Sequence, residues 1–197
     1  MKTTILLFAM TAVAALAGPP LICQPIDISG AKSLPWTNAS GWNGTDSHYN
    51  ANESLTKDTL ALLQPSTPLN VRMETMRRAA IYAAKNEVLA EQLTARLIAR
   101  VADVEASGQK QPNVWFDAGY FVETLRQVTF IYRYDMLSPA ERADWRLRGG
   151  NLGLDGKSWI EKAMRMGGKG MEVAMVKIVE YRDADLKRMA TKNPLLH

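Results

Sequence analysis

The sequence contains little cysteine and little histidine, and this scarcity restricts its chemistry. Cys23 is the single cysteine, and His48 and His197 are the two histidines. One cysteine cannot form a disulfide within the chain, and these three residues lack the ligand spacing of a zinc site. We therefore expect neither an intrachain disulfide nor a metal centre, and no motif in the sequence indicates a cofactor.

Long apolar runs are also scarce, apart from one at the N-terminus. Residues 5–16 form an apolar segment that follows Lys2 and overlaps an Ala-Leu-Ala triplet ending at Ala17. A basic residue, a short apolar run and such a triplet are the parts of a secretory signal peptide. We predict that residues 1–17 are a signal peptide and that the protein is periplasmic or extracellular. No further segment is long and apolar enough to suggest a membrane span after cleavage.

Helical or strand periodicity is absent from residues 18–53, which are rich in proline, glycine, serine and asparagine. This composition favours turns and extended chain. Trp36, Trp42 and Tyr49 lie in this segment. Such aromatic side chains commonly pin a long segment to a helical body, but they can also form a stacking platform for sugars. We predict an extended arm that contributes little to the hydrophobic core.

From residue 54 onward, apolar residues recur at helical spacing, and no segment alternates as a strand does. The longest pattern covers residues 114–134, where an apolar stripe at steps of three and four is accompanied by aromatic residues on the opposite side. A helix that is apolar nearly all round is usually buried among other helices. We predict that this segment is the central helix of a helical domain spanning residues 54–197.

Capping residues and glycines divide this domain into further helices. Thr67, Asn86, Ser138 and Asp155 are each suited to cap a following helix, and the glycines at 167–170 indicate a tight turn. Short connections between successive helices favour antiparallel hairpins. The sequence therefore predicts an all-α fold of about seven helices in stacked hairpins, either tetratricopeptide-like or an irregular bundle.

One glycine-rich loop superficially resembles a phosphate-binding site. Residues 149–158 end in a Gly-Lys-Ser triplet, but a P-loop needs a glycine at the position that Asn151 occupies. The loop also lacks a preceding strand. We interpret it as a flexible connection to a helix that Asp155 caps, and we predict no nucleotide site.

Charged residues of the predicted central helix supply the one catalytic candidate. Glu123 lies three residues before Arg126, so their side chains can pair on one helix face. In one interpretation Glu123 is an acid for glycan hydrolysis, opposed by Glu161 or Glu172 as a second carboxylate. In the other, which we favour, the glutamate forms an ion pair that fixes helix packing or lies in a solvent strip.

The formal net charge is +4, but the basic residues are scattered along the chain. Scattered charge is typical of a solvated helical surface, and an exported protein is not expected to bind nucleic acid. The candidate partner surface consists of Trp36, Trp42, Tyr49, Arg126 and Arg133. We expect a non-catalytic interaction or structural module whose partner is another protein or a cell-envelope component. The alternative is an all-α cell-wall glycan hydrolase or a glycan-binding protein.

Five segments resemble exported α-helical proteins of bacteria to which no activity is assigned. They are AKSLPW at 31–36, DTLALLQPSTP at 58–68, RMETMRRAAIYA at 72–83, WFDAGYFVETLRQ at 115–127 and LDGKSWIEKAMRMGG at 154–168. The resemblance covers most of the chain after residue 17. It implies export and a helical, loosely tetratricopeptide-like fold, and it assigns no functional residue.

Overall fold

The computed structural model describes residue 22 and residues 25–37, 42–134 and 153–179, with only the backbone given for 130–134. Regular structure in these ranges is helical, which confirms the predicted all-α class; one isolated β-bridge joins Trp36 to Thr45. The helices are α1 (Ala51–Leu62), α2 (Leu69–Ala83), α3 (Glu87–Ala106), α4 (Pro112–Tyr134), α5 (Gly156–Arg165) and a further helical segment, α6, at residues 172–179. The predicted signal peptide, Cys23 and the helix expected after Ser138 lie outside these ranges.

The predicted central helix is present as α4, which begins two residues earlier than the apolar pattern. It contacts α2, α3 and α5, so neighbours surround it on several sides. Phe116, Tyr120 and Phe121 are fully buried although they do not share one face of the helix. Burial on several sides explains why the sequence of α4 lacks a polar face.

Two of the predicted N-cap residues cap their helices, and a third does not. Asn86 accepts a hydrogen bond from the backbone N–H of Leu89, and Asp155 accepts one from the N–H of Ser158, so both act as N-caps. The prediction that Thr67 caps α2 is wrong. Its hydroxyl donates to the carbonyl of Leu62 at 2.8 Å and accepts from a backbone N–H at 3.1 Å, which closes the turn after α1 instead.

The arm belongs to the core, and the expectation that it contributes little is wrong. Ile22 and Leu34 are each only 1% exposed and belong to the same buried cluster as the helices. Trp36 and Tyr49 both lie edge-on to Tyr82 of α2, with ring centroids 6.1 Å and 5.2 Å away. The arm therefore covers one side of α2 while α4 covers another.

Two arginines on α2, the buried Arg77 and the partly exposed Arg78, hold the arm in place. Arg77 donates to the carbonyl of Trp42 at 3.0 Å, and Arg78 donates to the carbonyl of Leu34 at 2.6 Å. Carbonyls of an irregular segment lack ladder partners and must find other donors. The guanidinium groups supply these donors, so an arm without regular structure is still fixed by polar bonds.

A close backbone contact joins α4 to α5. A Cβ atom added to Gly119 would lie only 2.5 Å from the carbonyl oxygen of Gly156 and 2.9 Å from a side-chain carbon of Ile160. The reciprocal Cβ on Gly156 would overlap the carbonyl of Gly119. The two helices can approach this closely because neither glycine has a side chain.

Among the helices of the described ranges, none is both long enough and apolar enough to cross a membrane.

Candidate functional site

Glu123, the catalytic candidate, is buried where α4 meets the start of α5. Its carboxylate accepts hydrogen bonds from Arg126 at 3.1 Å and 3.2 Å and from the backbone N–H of Lys157 at 3.1 Å. The side chain is 1% exposed, and that of Arg126 is 17% exposed. Arg126 also donates to the carbonyl of Leu154 in the loop before α5. This geometry matches the ion pair that fixes helix packing.

The proposed second carboxylates, Glu161 and Glu172, lie on α5 and at the start of α6. Glu161 is half-buried on α5 and lies 3.1 Å from the ammonium group of Lys157. Glu172 is exposed at the start of α6. A glycosidase needs two carboxylates that both reach the scissile bond, whereas Glu123 is closed off from solvent.

Glu123→Gln is expected to lower the free energy of unfolding by about 2 kcal/mol. The substitution keeps the shape but replaces one acceptor oxygen by a donor group beside Arg126 and the N–H of Lys157, in a buried setting. Urea unfolding measures the loss, with Glu172→Gln as an exposed control that should change stability by less than about 0.5 kcal/mol. A loss equal to that of the control would show that the Glu123 ion pair contributes nothing.

The residues of the predicted partner surface lie on the arm and on α4. Trp36 and Tyr49 are half-buried against Tyr82, and Trp42 also packs against the core. Arg126 belongs to the Glu123 contact between α4 and α5. Arg133 lies in α4, and its side chain is outside the part of the structure that is described. The arm aromatics therefore act mainly as anchors of the arm.

An open cleft of about 360 Å³ lies beside the start of α4. Its walls come from the segment after α1, from α2 and α3, and from the loop before α4 together with the first turn of α4. The lining residues are Leu63, Pro65, Arg72, Arg100, Lys110, Gln111, Pro112, Asn113 and Val114. Three of these nine residues are basic and none is acidic, so the cleft has a cationic lining.

The basic residues of the cleft differ in how they are held. Arg72 is 1% exposed and donates to the carboxylate of Asp117 at 2.6 Å and to the backbone carbonyls of Thr67 and Gln64. The side chain of Arg100 is 31% exposed, and its nearest nitrogen lies 4.0 Å from the same carboxylate. Lys110 is exposed at the rim. The cleft thus has one fixed cation in its wall, one exposed cation at its rim, and a third, Arg100, whose side chain is partly exposed although one terminal nitrogen is buried.

Asp117 is a fully buried carboxyl behind the cleft. Burial raises the pKa of Asp117 to about 6, although the positive charges of Arg72 and Arg100 oppose this rise. One of its oxygens has no hydrogen-bond partner, and neither does one terminal nitrogen of Arg100. Both atoms are buried at the back of the cleft, away from its opening.

As the pH rises from about 4 to about 6, the free energy of unfolding of the natural protein is expected to fall relative to that of Asp117→Asn. Folded Asp117 holds its proton up to about pH 6, whereas an ordinary aspartate loses it near 3.8. The folded state therefore binds more protons in this window. The stabilisation that this proton provides is complete below the pKa that Asp117 has in the unfolded chain. It is lost as the pH rises through the pKa of Asp117 in the folded protein, by up to about 1.4 kcal/mol per pH unit.

Urea unfolding at several pH values measures this difference for the natural protein and for Asp117→Asn. Asp103→Asn, an exposed substitution on α3, is the control and should follow the natural protein closely. A difference that increases with pH would show that the pairing with Arg72 outweighs burial and that the pKa of Asp117 is depressed.

Sequence reasoning missed the cleft. Arg72, Arg100 and Lys110 lie on three different segments and match no motif, so only the packing of the helices brings them together. A weak local signal was present, because Pro112 at the first position of α4 marks a junction between a loop and a helix.

No protein-family model, curated protein or solved structure matches the chain. Over the described ranges, no group of three or more histidine, cysteine, aspartate or glutamate residues is arranged to hold a metal ion.

Proposed function

We propose that the protein is an exported, non-catalytic helical interaction module that binds an acidic group of its partner in the basic cleft. The observation that carries this proposal is the placement of Arg100 and Lys110 on an open cleft that has no acidic residue in its lining. A concave site with a few converging polar groups is where ligands usually bind. Accessible cations make an acidic group the favoured ligand.

The surroundings of Glu123 support a module without catalysis. A general acid must reach the bond that it protonates, and a carboxylate with 1% exposure held by Arg126 and Lys157 does not. The glycan hydrolase that we considered as an alternative would need this glutamate to be accessible. No observation favours that alternative over binding.

The finer architecture belongs to the same proposal. We infer stacked antiparallel hairpins, about seven helices in all, of tetratricopeptide-like or irregular type. Only three residues separate α2 from α3, and both helices contact α4, which supports this arrangement. Stacked hairpins commonly present binding surfaces built from several helices, and the cleft has this composition.

The partner is proposed to be another protein or a cell-envelope component, met in the periplasm or outside the cell. Export rests on the signal peptide predicted at residues 1–17. Since the cleft is small, we expect it to hold one acidic group of a larger partner, while other surfaces of the module make further contacts.

Retention of envelope-fraction components on the immobilised protein is expected to depend on the cleft. Raising the salt concentration from about 0.05 M to about 0.5 M shortens the Debye length to roughly 4 Å and should release what is bound. Arg100→Gln and Lys110→Gln should each reduce retention, whereas Lys169→Gln, an exposed substitution in the turn before α6, should not.

Two outcomes would contradict the proposal. Equal retention by Arg100→Gln, Lys110→Gln and the Lys169→Gln control would exclude the cleft as the binding site. Cleavage of peptidoglycan by the natural protein, abolished by a folded Glu123→Gln variant, would establish the hydrolase instead.

A further inference from the structure

The positive charge of the cleft is only partly neutralised. Asp117 pairs directly with Arg72 at 2.6 Å, but it lies 4.0 Å from Arg100, which is too far for a hydrogen bond. The second terminal nitrogen of Arg100 donates to the carbonyl of Leu63 at 3.3 Å, which holds the side chain at the cleft. Lys110 adds a second positive charge at the rim. One or two negatively charged oxygens of a ligand would balance the positive charges of Arg100 and Lys110.

The rest of the lining is apolar or neutral. Pro65 is exposed and Pro112 is half-buried, and they supply the accessible apolar wall, with the almost fully buried Leu63 and Val114 behind it. The amides of Gln111 and Asn113 add neutral hydrogen-bonding groups. An apolar wall stabilises a ligand that has apolar surface to remove from water. A strongly hydrated inorganic ion would leave this part of the cleft unused. The lining therefore favours a ligand with one acidic end and one apolar end.

The size of the cleft sets a limit on that ligand. A volume of about 360 Å³ is near the lower end of the range for small-molecule sites, roughly 300–1,000 Å³. It suits a single small group and not an extended polymer. A carboxylate at the mouth of the cleft would meet the exposed part of the Arg100 side chain and the ammonium group of Lys110, and hydrogen bonds between such charged groups are stronger than neutral ones.

We propose that the cleft binds a carboxylate attached to a short apolar body, with Arg100 and Lys110 on the carboxylate and Pro65 and Pro112 on the apolar part. This inference rests on the proposed function and names the class of its ligand. A free short-chain organic acid and the C-terminal residue of a peptide share this chemistry, so both serve as probes.

Calorimetric titration of the protein as isolated from producing cells tests the ligand class. Hexanoate is expected to bind, whereas 1-hexanol, which has the same apolar chain without the charge, should not bind measurably. Inorganic phosphate should bind more weakly than hexanoate. A short peptide ending in leucine, compared with its C-terminal amide, decides whether the natural source is a free acid or a chain terminus.

Matched variants locate the site. Arg100→Gln should weaken hexanoate binding by about 10-fold or more, because it removes a charge-assisted hydrogen bond. Lys110→Gln should weaken binding a few-fold, as expected of a more exposed charge. Arg96→Gln replaces an exposed arginine one turn earlier on α3 and should leave affinity unchanged. Lys110 is exposed, so its variant remains informative if the Arg100 variant is unstable.

The outcomes separate the ligand class from the binding function. If phosphate binds as tightly as hexanoate and both depend on Arg100, the cleft is an anion site but the carboxylate class is wrong. If hexanol binds as well as hexanoate, the charged end has no role and the inference fails. If no acidic probe binds in a way that depends on Arg100 or Lys110, both the ligand class and the proposed binding site are wrong.

Discussion

Replacing Glu74 by glutamine is expected to destabilise the protein by about 3–5 kcal/mol. The carboxylate of Glu74 is fully buried on α2 and accepts two hydrogen bonds from Arg77, at 2.7 Å and 2.9 Å, and one from Arg78 at 2.7 Å. Its fourth bond comes from the backbone N–H of Ile26 in the arm, at 3.0 Å. Glutamine would leave two guanidinium groups without their counter-charge and would place an amide donor against their N–H groups.

The expected loss is large because the cations cannot return to water. Arg77 has no exposed surface, and its remaining hydrogen bonds go to carbonyls of the arm. Burial alone would raise the pKa of Glu74, but the hydrogen bonds and charges of Arg77 and Arg78 and the N–H of Ile26 outweigh burial and lower that pKa. The bonded, ionised form is therefore the one that the fold favours at neutral pH.

Urea unfolding at neutral pH measures this effect, with Glu91→Gln as a control on the exposed face of α3. The control should change the free energy of unfolding by less than about 0.5 kcal/mol. A loss for Glu74→Gln as small as that of the control would show that the buried network does not hold the arm. Proteolysis of the arm should also accelerate in the Glu74 variant, because its anchor is weakened.

Gly119→Ala is expected to destabilise the protein by about 3 kcal/mol, at the upper end of the range for overpacking. Helix propensity alone predicts the opposite, since alanine is favoured over glycine in a helix interior by about 1 kcal/mol. The structure reverses the sign because the new methyl group would meet the carbonyl of Gly156 at 2.5 Å. This neighbour is backbone, so relief requires α5 to move.

Ala95→Gly at an exposed position of α3 is the control for Gly119→Ala. It measures the intrinsic difference between alanine and glycine in this protein, and it should cost about 1 kcal/mol. Stabilisation by Gly119→Ala of a similar size would show that α4 and α5 do not touch at these glycines.

Apolar periodicity predicts α4 well because long, strongly patterned helices carry the clearest signal. The aromatic residues on both sides of its stripe also indicate correctly that the helix is central. The close approach of α5 is not predicted, although Gly119 in the interior of an otherwise well-formed helix was a local sign of it. The sequence does not show that Gly156 is the residue opposite Gly119, because only the packing of α5 on α4 brings the two together.

The arm shows where composition misleads. Residues 18–53 lack periodicity, and such segments are often peripheral, yet Ile22 and Leu34 are buried in the core. The arm lacks the backbone hydrogen bonds of a helix or sheet, and Arg77 and Arg78 of α2 replace some of them by donating to arm carbonyls. A sequence pattern does not show that two arginines on a helix satisfy the backbone of a distant segment.

The candidate site was less predictable than the fold. Glu123 and Arg126 form the pair that their spacing predicts, but the pair is structural. The cleft depends on residues that follow α1, on residues of α2 and α3, and on the loop and first turn at the start of α4, which are far apart in sequence. Scattered basic residues look alike along the chain, and only their placement around one cavity distinguishes Arg100 and Lys110 from the rest.

The most direct test of the cleft as the binding site is a two-dimensional amide NMR titration of the ¹⁵N-labelled protein with hexanoate. Perturbed resonances are expected to concentrate at Leu63, Arg100 and residues 110–114, and to be lost in Lys110→Gln or Arg100→Gln. Perturbations confined to the arm around Trp36 and Tyr49, or none at saturating hexanoate, would contradict binding in the cleft.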